Sequence, residues 1–320
     1  MTGKRTSRGW AKALIVAGIL IAAAYLGLVL GVPESGDFIP ATGNRIAPER
    51  SQFRVACISD CSGTTTALRK ICAEANSAGV DFSCLPGDLT QARGRSEVYY
   101  IGKVIGDSLR NPYYTVPGNH DAGHPADLET YCSVFGPDHY WFGYGDTLFI
   151  CLNTAMGCSD ATYRYLHDTL EARRSDYRRC VIFCHIFPAP EYRYGAPEEN
   201  DTEPFRKAIG THKIDLLVVG HLHRFMETSF GGVRSVVLPS SGQDILDRND
   251  PNYGFVLLDF NADGSIGVRH VDVTDSTGTN HWEYFLYVVA RHPAWFWGGL
   301  GLSAVGCLLL WFLRRKREEL

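Results

Sequence analysis

Short apolar runs alternate with amphipathic stretches along most of the chain. The runs are five or six residues long and end in turn residues, as buried strands do, whereas the stretches between them repeat apolar residues at helical spacing. The predicted strands are Arg54–Ser59, Val80–Leu85, Pro112–Val116, Tyr140–Tyr144, Thr147–Leu152, Cys180–Cys184 and Ile214–Val219, and the predicted helices are Thr65–Ala78, Ser96–Leu109, Ala126–Phe135 and Asp160–Arg174. This alternation predicts an α/β fold in which helices flank a central sheet.

The later part of the predicted domain is richer in strands. Residues 224–273 alternate apolar and polar positions, with turns at Gly231-Gly232 and Asp263-Gly264. A hairpin is also predicted between Tyr140–Tyr144 and Thr147–Leu152. We therefore expect a second sheet packed on the first.

Two uncharged segments of twenty residues lie near the chain ends, Ala13–Val32 and Ala294–Leu313. Each matches the roughly 20 apolar residues needed to cross a bilayer. The first could be a signal peptide, but its apolar core is longer than the roughly 7–15 residues usual in one, which favours an uncleaved anchor. The second has Trp295, Trp297 and Trp311 near its ends, as membrane-interface anchors are placed. A buried helix at the end of the domain is the alternative.

Basic residues flank both segments on their outer sides. They are Lys4, Arg5, Arg8 and Lys12 before the first, and Arg314, Arg315, Lys316 and Arg317 after the second. The positive-inside rule then predicts a two-span cell-membrane protein with both termini in the cytoplasm and the domain outside it. The residues between these flanks carry 23 Lys and Arg against 33 Asp and Glu, a net charge of −10, so nucleic acid is not expected as a partner.

These features predict the following organisation. The segments are 1–12 cytoplasmic tail, 13–32 transmembrane helix, 33–52 linker rich in Gly and Pro, 53–275 catalytic-type domain, 276–293 juxtamembrane segment, 294–313 transmembrane helix and 314–320 cytoplasmic tail.

The chain has ten cysteines and no C-x-x-C spacing, which disfavours a zinc ribbon. Those in predicted strands, where a thiol acts as a small buried hydrophobe, are Cys57, Cys84, Cys151 and Cys184. Possible disulfide partners in an oxidising compartment are Cys61, Cys72, Cys132, Cys158 and Cys180.

Metal-ligand residue types follow five of the predicted strands, which we expect to belong to one sheet. These residues are Asp60, Asp88, Asn119, His185, His221 and His223. In α/β sheets, ligands bind beyond the carboxyl ends of strands, so we expect these side chains to converge. Oxygen and imidazole ligands suit Mn, Fe or Zn, and two such ions can activate water for displacement at phosphorus. His120, beside Asn119, could stabilise phosphoryl charge or protonate a leaving oxygen.

The blocks Gly87-Asp88, Gly118–Asp121, His185 and Gly220–His223, in this order, resemble the calcineurin-like metallophosphoesterase family. The resemblance covers about residues 53–260. It implies a four-layer α/β/β/α sandwich, here flanked by the two predicted transmembrane helices.

The resemblance also implies the residue roles. Asp88 would bridge two divalent ions, Asp60 and His223 would hold the first, and Asn119, His185 and His221 the second. His120 would be the acid or charge stabiliser, and Asp121 would orient it.

The first block of this family, usually Asp-x-His, is Asp60-Cys61-Ser62 here and departs from that pattern. Ser62 stands where the family has a histidine ligand, and Gln91 stands where the purple acid phosphatase branch has a tyrosine. Cys61 is expected to point away, since its neighbour Asp60 points inward. The first metal site is therefore expected to be weakened or completed by water.

The predicted function is a membrane-anchored, metal-dependent phosphoesterase acting on a phosphomonoester or phosphodiester. Because two anchors would hold the site near a bilayer, a lipid or lipid-linked substrate is the second choice. The alternative is a catalytically weak or inactive metal-binding scaffold of the same fold, motivated by Ser62. The sequence leaves the oligomeric state open.

Overall fold

The computed structural model describes residues 2–30, 43–91, 94–186, 203–242, 253–273 and 294–318. The chain divides into two compact units, one made by the helices at its two ends and the other by the residues between them. The helices are α1 Thr2–Leu30, α2 Thr65–Ser77, α3 Arg95–Ser108, α4 Asn119–Ala122, α5 Pro125–Phe135, α6 Asp160–Arg173, α7 Glu203–Thr211 and α8 Ala294–Glu318.

The strands of the central unit form two sheets. They are β1 Arg45–Ile46, β2 Phe53–Cys57, β3 Phe82–Pro86, β4 Tyr113–Val116, β5 Tyr140–Tyr144, β6 Thr147–Cys151, β7 Arg179–Phe183, β8 Leu216–Val219, β9 Met226–Phe230, β10 Val233–Val237, β11 Gly254–Phe260 and β12 Ile266–Asp272. One sheet has the order β1-β5-β6-β7-β8-β10-β9 and the other β12-β11-β2-β3-β4. Every strand and hairpin predicted above is present, with ends that differ by at most two residues. In addition, residues 45–46 of the predicted linker pair with β5.

The prediction that one sheet carries all the candidate ligands is wrong. β2, β3 and β4 lie side by side in the five-stranded sheet, whereas β7 and β8 are neighbours in the seven-stranded sheet. The late strands are also divided, since β9 and β10 extend the larger sheet and β11 and β12 extend the smaller one. The ligand-bearing runs are buried on both faces, so their apolar pattern is the same whichever sheet they join.

The two sheets pack face to face through an aromatic core. Phe82 contacts Phe149 edge-on from the opposite sheet, and Tyr114 stacks on Phe142 with ring centroids 3.7 Å apart. A second core lies on the other face of the larger sheet, where Leu166 of α6 and Phe205 of α7 are fully buried. Helices α2 and α3 connect the parallel strands β2, β3 and β4, and so cover the outer face of the smaller sheet. The layers are therefore helix, sheet, sheet and helix.

None of the ten cysteines is part of a disulfide bond. As predicted, the four assigned to strands are buried. The five possible disulfide partners therefore form no disulfide with one another, and Cys72 and Cys180 are fully buried. Burial raises the pKa of both thiols to about 12, so they are unreactive at neutral pH.

Helices occupy both predicted membrane segments. Within the described residues, one helix is long and apolar enough to cross a membrane, through the 18-residue stretch Gly9–Leu26 of α1. The apolar part of α8 is shorter and runs from Phe296 to Phe312. Membrane crossing by either helix stays a prediction.

Candidate metal centre

The candidate ligands meet where the carboxyl ends of the two sheets come together. Asp60, Asp88 and Asn119 follow β2, β3 and β4, while His185 and the pair His221 and His223 follow β7 and β8. Two groups of three have ligand atoms within 4.8 Å of one another, and these are Asp88 with His185 and His221, and Asp60 with Asp88 and His223. Asp88 belongs to both groups. These groups contain the carboxylates and histidines that the family resemblance implied for each ion, and Asn119 belongs to neither group.

Individual distances show how compact the centre is. The Nε2 atom of His185 lies 3.2 Å from Asp88 Oδ1, and that of His223 lies 3.3 Å from Asp60 Oδ1. Both carboxylates and His185 are almost completely buried. Because burying ionisable groups is costly unless they are paired or bind a metal, this density of ligand atoms favours a metal site.

The backbone at these positions is left-handed. Five of the six non-glycine residues with positive φ in the described chain lie here. They are Asp60 (58°), Ser62 (43°), Asp88 (51°), His221 (72°) and His223 (52°). Each such residue costs of order 1–3 kcal/mol and persists where surrounding contacts impose it. The strain is thus concentrated at the positions that the sequence proposed as ligands or their neighbours.

Cross-loop hydrogen bonds hold these strained loops. The backbone N–H of Ser62 donates to Asp88 O at 2.8 Å, and that of His221 donates to the Asp60 carboxylate at 3.1 Å. The backbone N–H of His120 donates to Asp88 Oδ1 at 2.9 Å. One oxygen of Asp88 is therefore held by the backbone while the other is left for a second partner.

Three motif glycines leave room for the ligands. A Cβ at Gly118 would lie 2.2 Å from Asp88 Oδ1, and one at Gly87 would lie 2.5 Å from His185 Nδ1. A Cβ at Gly220 would lie 2.7 Å from Asp60 Oδ2. Real Cβ atoms do not approach this closely, so glycine is needed at all three positions.

Three buried polar atoms in this centre lack a hydrogen-bond partner. They are Asp88 Oδ2, Asn119 Oδ1 and His185 Nε2. The other ring nitrogen of His185 donates to Pro86 O at 2.8 Å, which leaves Nε2 with its lone pair available when the ring is neutral. A carboxylate, an amide oxygen and an imidazole left unsatisfied together fit a divalent cation.

The electrostatics of the centre also favour a cation. Burial opposes charge on Asp88, but the adjacent His185 and then His120 outweigh it and lower the pKa of Asp88 to about 2. Burial would likewise lower the pKa of His185, but Asp88 and Asp60 raise it to about 10. The carboxylates thus favour a positive charge beside them, which either a proton on His185 or a bound metal ion would supply.

His120 differs from the other candidates because its side chain is 28% exposed. Its Nε2 lies 3.9 Å from Asp88 Oδ2, and its Nδ1 lies 3.4 Å from the Gln91 carbonyl oxygen. The ring therefore faces both the ligand cluster and the solvent, where a substrate would enter.

The expected role of Asp121 in orienting His120 stays a prediction, and the contacts of its carboxylate show a structural task as well. Its carboxylate accepts hydrogen bonds from the backbone N–H groups of Gly118, Leu89 and Thr90 and from the Thr90 hydroxyl, and no hydrogen bond to the His120 ring occurs in this described region. Burial, followed by Asp88, raises the pKa of Asp121 to about 6. Asp121 thus joins the loop that carries Asp88 to the one that carries Asn119.

Cys61 does not add a fourth ligand to the group formed by Asp60, Asp88 and His223. Its thiol donates to Leu89 O at 3.2 Å, as expected for a side chain turned away from the centre, and burial with the nearby Asp121 keeps its pKa well above the usual value. Ser62 is 8% exposed and keeps a left-handed backbone. The group around Asp60 therefore has Asp60, Asp88 and His223, with a hydroxyl in the usual histidine position.

The sequence did not reveal several residues that support the centre. The hydroxyl of Thr154 accepts the backbone N–H groups of His185 and Ile186 at 3.1 and 2.9 Å, and Ser240 Oγ donates to Asp60 O. The buried Glu97 accepts the backbone N–H of Gln91 at 2.7 Å. None of these lies in a recognisable motif. Their only shared signal is a polar residue at the end of a buried run or in a first helical turn, which is common in loops.

Comparison with known proteins identifies the family. The sequence model of the family described as "Calcineurin-like phosphoesterase" matches residues 53–225, which are more than half of the chain. The chain belongs to the calcineurin-like phosphoesterase family. This family comprises metal-dependent hydrolases of phosphoric esters.

Two curated relatives are serine/threonine-protein phosphatases CPPED1. The protein from Danio rerio is 28% identical over 192 residues, which are 52% of this chain and 61% of the relative. The protein from Rattus norvegicus is 24% identical over 178 residues, which are 49% of this chain and 55% of the relative. The chain thus spans less than two thirds of these relatives.

Solved structures share the fold at low sequence identity. A purple acid phosphatase from yellow lupin, Lupinus luteus, has a TM-score of 0.56 at 16% identity, covering 72% of this chain and 53% of its own. A dimetal phosphatase from Danio rerio has a TM-score of 0.55 at 14% identity, and the match covers 69% of this chain and 96% of the phosphatase. GAP50 of Plasmodium, described as the anchor in the inner membrane complex, has a TM-score of 0.54 at 13% identity. The match covers 76% of this chain and 96% of GAP50. These likenesses support the mixed α/β two-sheet fold.

Proposed function

We propose that this chain is a membrane-anchored phosphoesterase that uses two divalent metal ions to hydrolyse a phosphomonoester or phosphodiester. The observation that carries the proposal is the shared carboxylate of Asp88, which belongs to both groups of ligand atoms. Asp60 and His223 would complete one ion's ligand set, and Asn119, His185 and His221 the other's. When bound, such a pair supplies Lewis acidity and a water nucleophile.

The residues of the chain then divide the remaining work. Pro86 O fixes the ring of His185 by accepting its Nδ1–H, and the backbone of His120 fixes Asp88. The ring of His120 is partly exposed and stands beside Asp88, so it is placed to donate a proton to a leaving oxygen or to hold phosphoryl charge. Mn, Fe and Zn all accept this oxygen and imidazole donor set.

The test compares hydrolysis with metal content. The full chain, purified in detergent and supplied with Mn²⁺, is assayed on a generic aryl phosphomonoester and an aryl phosphodiester. His120→Ala should lower kcat by about 10²–10⁴-fold while the metal content stays at the wild-type value. His167→Ala, which removes an exposed histidine, is the matched control and should leave both quantities unchanged. Wild-type turnover no higher than that of His120→Ala would refute the enzyme proposal.

A metal-binding scaffold is the second candidate. Ser62 in place of a histidine ligand favours it, and GAP50, whose description is that of an anchor, shares the fold. One tightly held ion per chain without hydrolysis would support the scaffold. Two ions with turnover would refute it.

We also propose that the central unit lies outside the cytoplasm, with both chain ends inside. The support is the basic residues outside each apolar segment and the apolar surface of α1 and α8. Free cysteines do not oppose this location, because burial keeps thiols such as Cys72 protonated. Protease added to intact cells should digest the central unit and spare tags fused to both termini. Protection of the central unit would reverse the proposed topology.

A phosphomonoester of a protein is one substrate class to test, since the curated relatives are named serine/threonine-protein phosphatases. A lipid or lipid-linked phosphate is the second class, because membrane anchoring would hold the centre near a bilayer. Phosphopeptides in solution and a lipid phosphate in mixed micelles, assayed at equal bulk concentrations, separate the two.

A further inference from the structure

Helices α1 and α8 are in such close contact at three glycines that no larger residue fits. A Cβ at Gly18 would lie 2.2 Å from Gly299 O, and a Cβ at Gly299 would lie 2.6 Å from Gly18 O. Further along, a Cβ at Gly306 would lie 2.7 Å from Ala11 O. Small residues that allow such backbone approach are typical of helix pairs in membranes.

The register of this contact is antiparallel and includes a polar link. Residues later in α8 contact residues earlier in α1. At one end Phe296 contacts Tyr25, and at the other Gly306 lies against Ala11. Between them, the hydroxyl of Ser303 donates to a backbone carbonyl of α1, Ile15 O, at 3.2 Å. The match therefore extends along several turns and is not a single crossing point.

Glycine content alone does not explain the contact. A Cβ placed at Gly298 or Gly301 of the same helix would meet no atom within 4 Å, because these two glycines face away from α1. The glycines that touch α1 are thus confined to one face of α8. Tyr25 and Ala22 of α1 are buried against that face.

The outer surface of the pair is apolar. Large apolar side chains that are at least 38% exposed are Trp10, Val16, Ile19, Leu20, Leu26, Trp297, Leu300, Leu302, Val305, Leu308, Leu309, Trp311 and Phe312. No charged residue lies between positions 13 and 30 or between 294 and 312. An uncharged apolar surface of this length, bounded by basic residues, fits lipid acyl chains.

We infer that α1 is retained in the mature protein as the packing partner of α8, and that the two helices form an antiparallel pair with lipid around it. This rests on the membrane part of the proposed function and is independent of catalysis. A signal peptide that is removed has no need of a complementary surface elsewhere in the chain. Removal of α1 would uncover the backbone at Gly299 and Gly306 and leave the Ser303 hydroxyl without its acceptor.

The experiment uses the full chain with a tag on its N-terminus and a specific protease site inserted after residue 36. The tag should remain on the purified chain, and the chain should stay in the membrane pellet after an alkaline carbonate wash. After cleavage in mild detergent, capture of the tagged α1 fragment should recover the rest of the chain. A missing tag or extraction by carbonate would overturn the inference.

Two glycine variants test the specific contact. Gly299→Leu should reduce recovery of the rest of the chain by about fivefold or more, whereas Gly298→Leu, on the open face, should leave it unchanged. Equal recovery for the two variants would overturn the proposed interface. Hydrolysis of a soluble phosphomonoester, measured on the same samples, reports separately on the proposed enzyme activity and should be unaffected by either substitution.

Discussion

The Nδ1 atom of His120 lies 3.4 Å from the carbonyl oxygen of Gln91. A carbonyl can only accept a hydrogen bond, so this contact requires the proton on Nδ1 and directs Nε2 toward Asp88. The backbone N–H of Gln91 in turn donates to the buried carboxylate of Glu97 at 2.7 Å. Glu97 therefore positions the His120 ring through Gln91, without touching the ligand cluster.

Replacing Glu97 should lower the catalytic rate that depends on His120 more than it lowers metal binding. Glu97→Ala removes the acceptor for the Gln91 N–H, and we expect kcat to fall about tenfold with KM and metal content unchanged. Glu97→Gln keeps an acceptor oxygen and should restore most of the rate. Steady-state kinetics and metal analysis on the three proteins check this. A loss of metal that parallels the loss of kcat would show that Glu97 only stabilises the fold.

Restoring a histidine at Ser62 should strengthen the weaker half of the centre. The backbone of Ser62 is already left-handed, and histidine is among the residue types that accept this conformation. Ser62→His should raise the affinity for the more weakly held Mn²⁺ ion by about tenfold or more, as measured by calorimetric titration. Ser62→Ala is the control and should leave the affinity near the wild-type value. An unchanged affinity in Ser62→His would contradict the weakened-site prediction.

Adding one methyl group at Gly118 should disrupt metal binding. The new Cβ would approach Asp88 Oδ1 to 2.2 Å, and the shared carboxylate would have to move. We expect Gly118→Ala to lower Mn²⁺ affinity by about 10–100-fold. Gly210→Ala, in α7, meets nothing within 4 Å and should bind metal normally. Similar affinities for both variants would show that the Asp88 position tolerates displacement.

Removing the buried guanidinium of Arg179 should destabilise the central unit. Arg179 is 1% exposed, pairs with Asp146 and donates to the backbone carbonyls of Ser51 and Asn261. Arg179→Met would leave these acceptors unsatisfied, at a cost of about 3–5 kcal/mol in the free energy of unfolding.

The matched substitution is Lys103→Met, which breaks an exposed pair with Asp107 and should cost less than about 1 kcal/mol. Urea denaturation of both variants, followed by tryptophan fluorescence, measures the difference. Equal midpoints would mean that the Arg179 network contributes no more than a surface ion pair.

The sequence predicted the elements well because each strand is a short apolar run that ends in a turn. It also predicted that Asp60, Asp88 and the histidines after β7 and β8 would converge, since ligand positions follow strand ends. It could not assign the strands to sheets, because runs buried on both faces carry no sign of their neighbours. Nor could it find Glu97 or Thr154, whose roles depend on backbone groups that are close only after folding.

The backbone contacts of Asp121 show the same limit in a different way. A carboxylate beside His120 suggests a partner for the ring, yet its three-residue separation from Gly118 and its burial direct it to backbone N–H groups instead. Sequence proximity therefore identified Asp121 but not these backbone partners.

The contact between Gly18 and Gly299 also affects how the central unit unfolds. Two helices that remain paired join the ends of the intervening chain, much as a cross-link would, and so reduce the conformational entropy that this chain can gain when it unfolds. The helix pair then acts as a non-covalent cross-link between the two ends of the central unit. For this reason the excised unit should denature at a lower urea concentration than the full chain, even though every contact within it is the same.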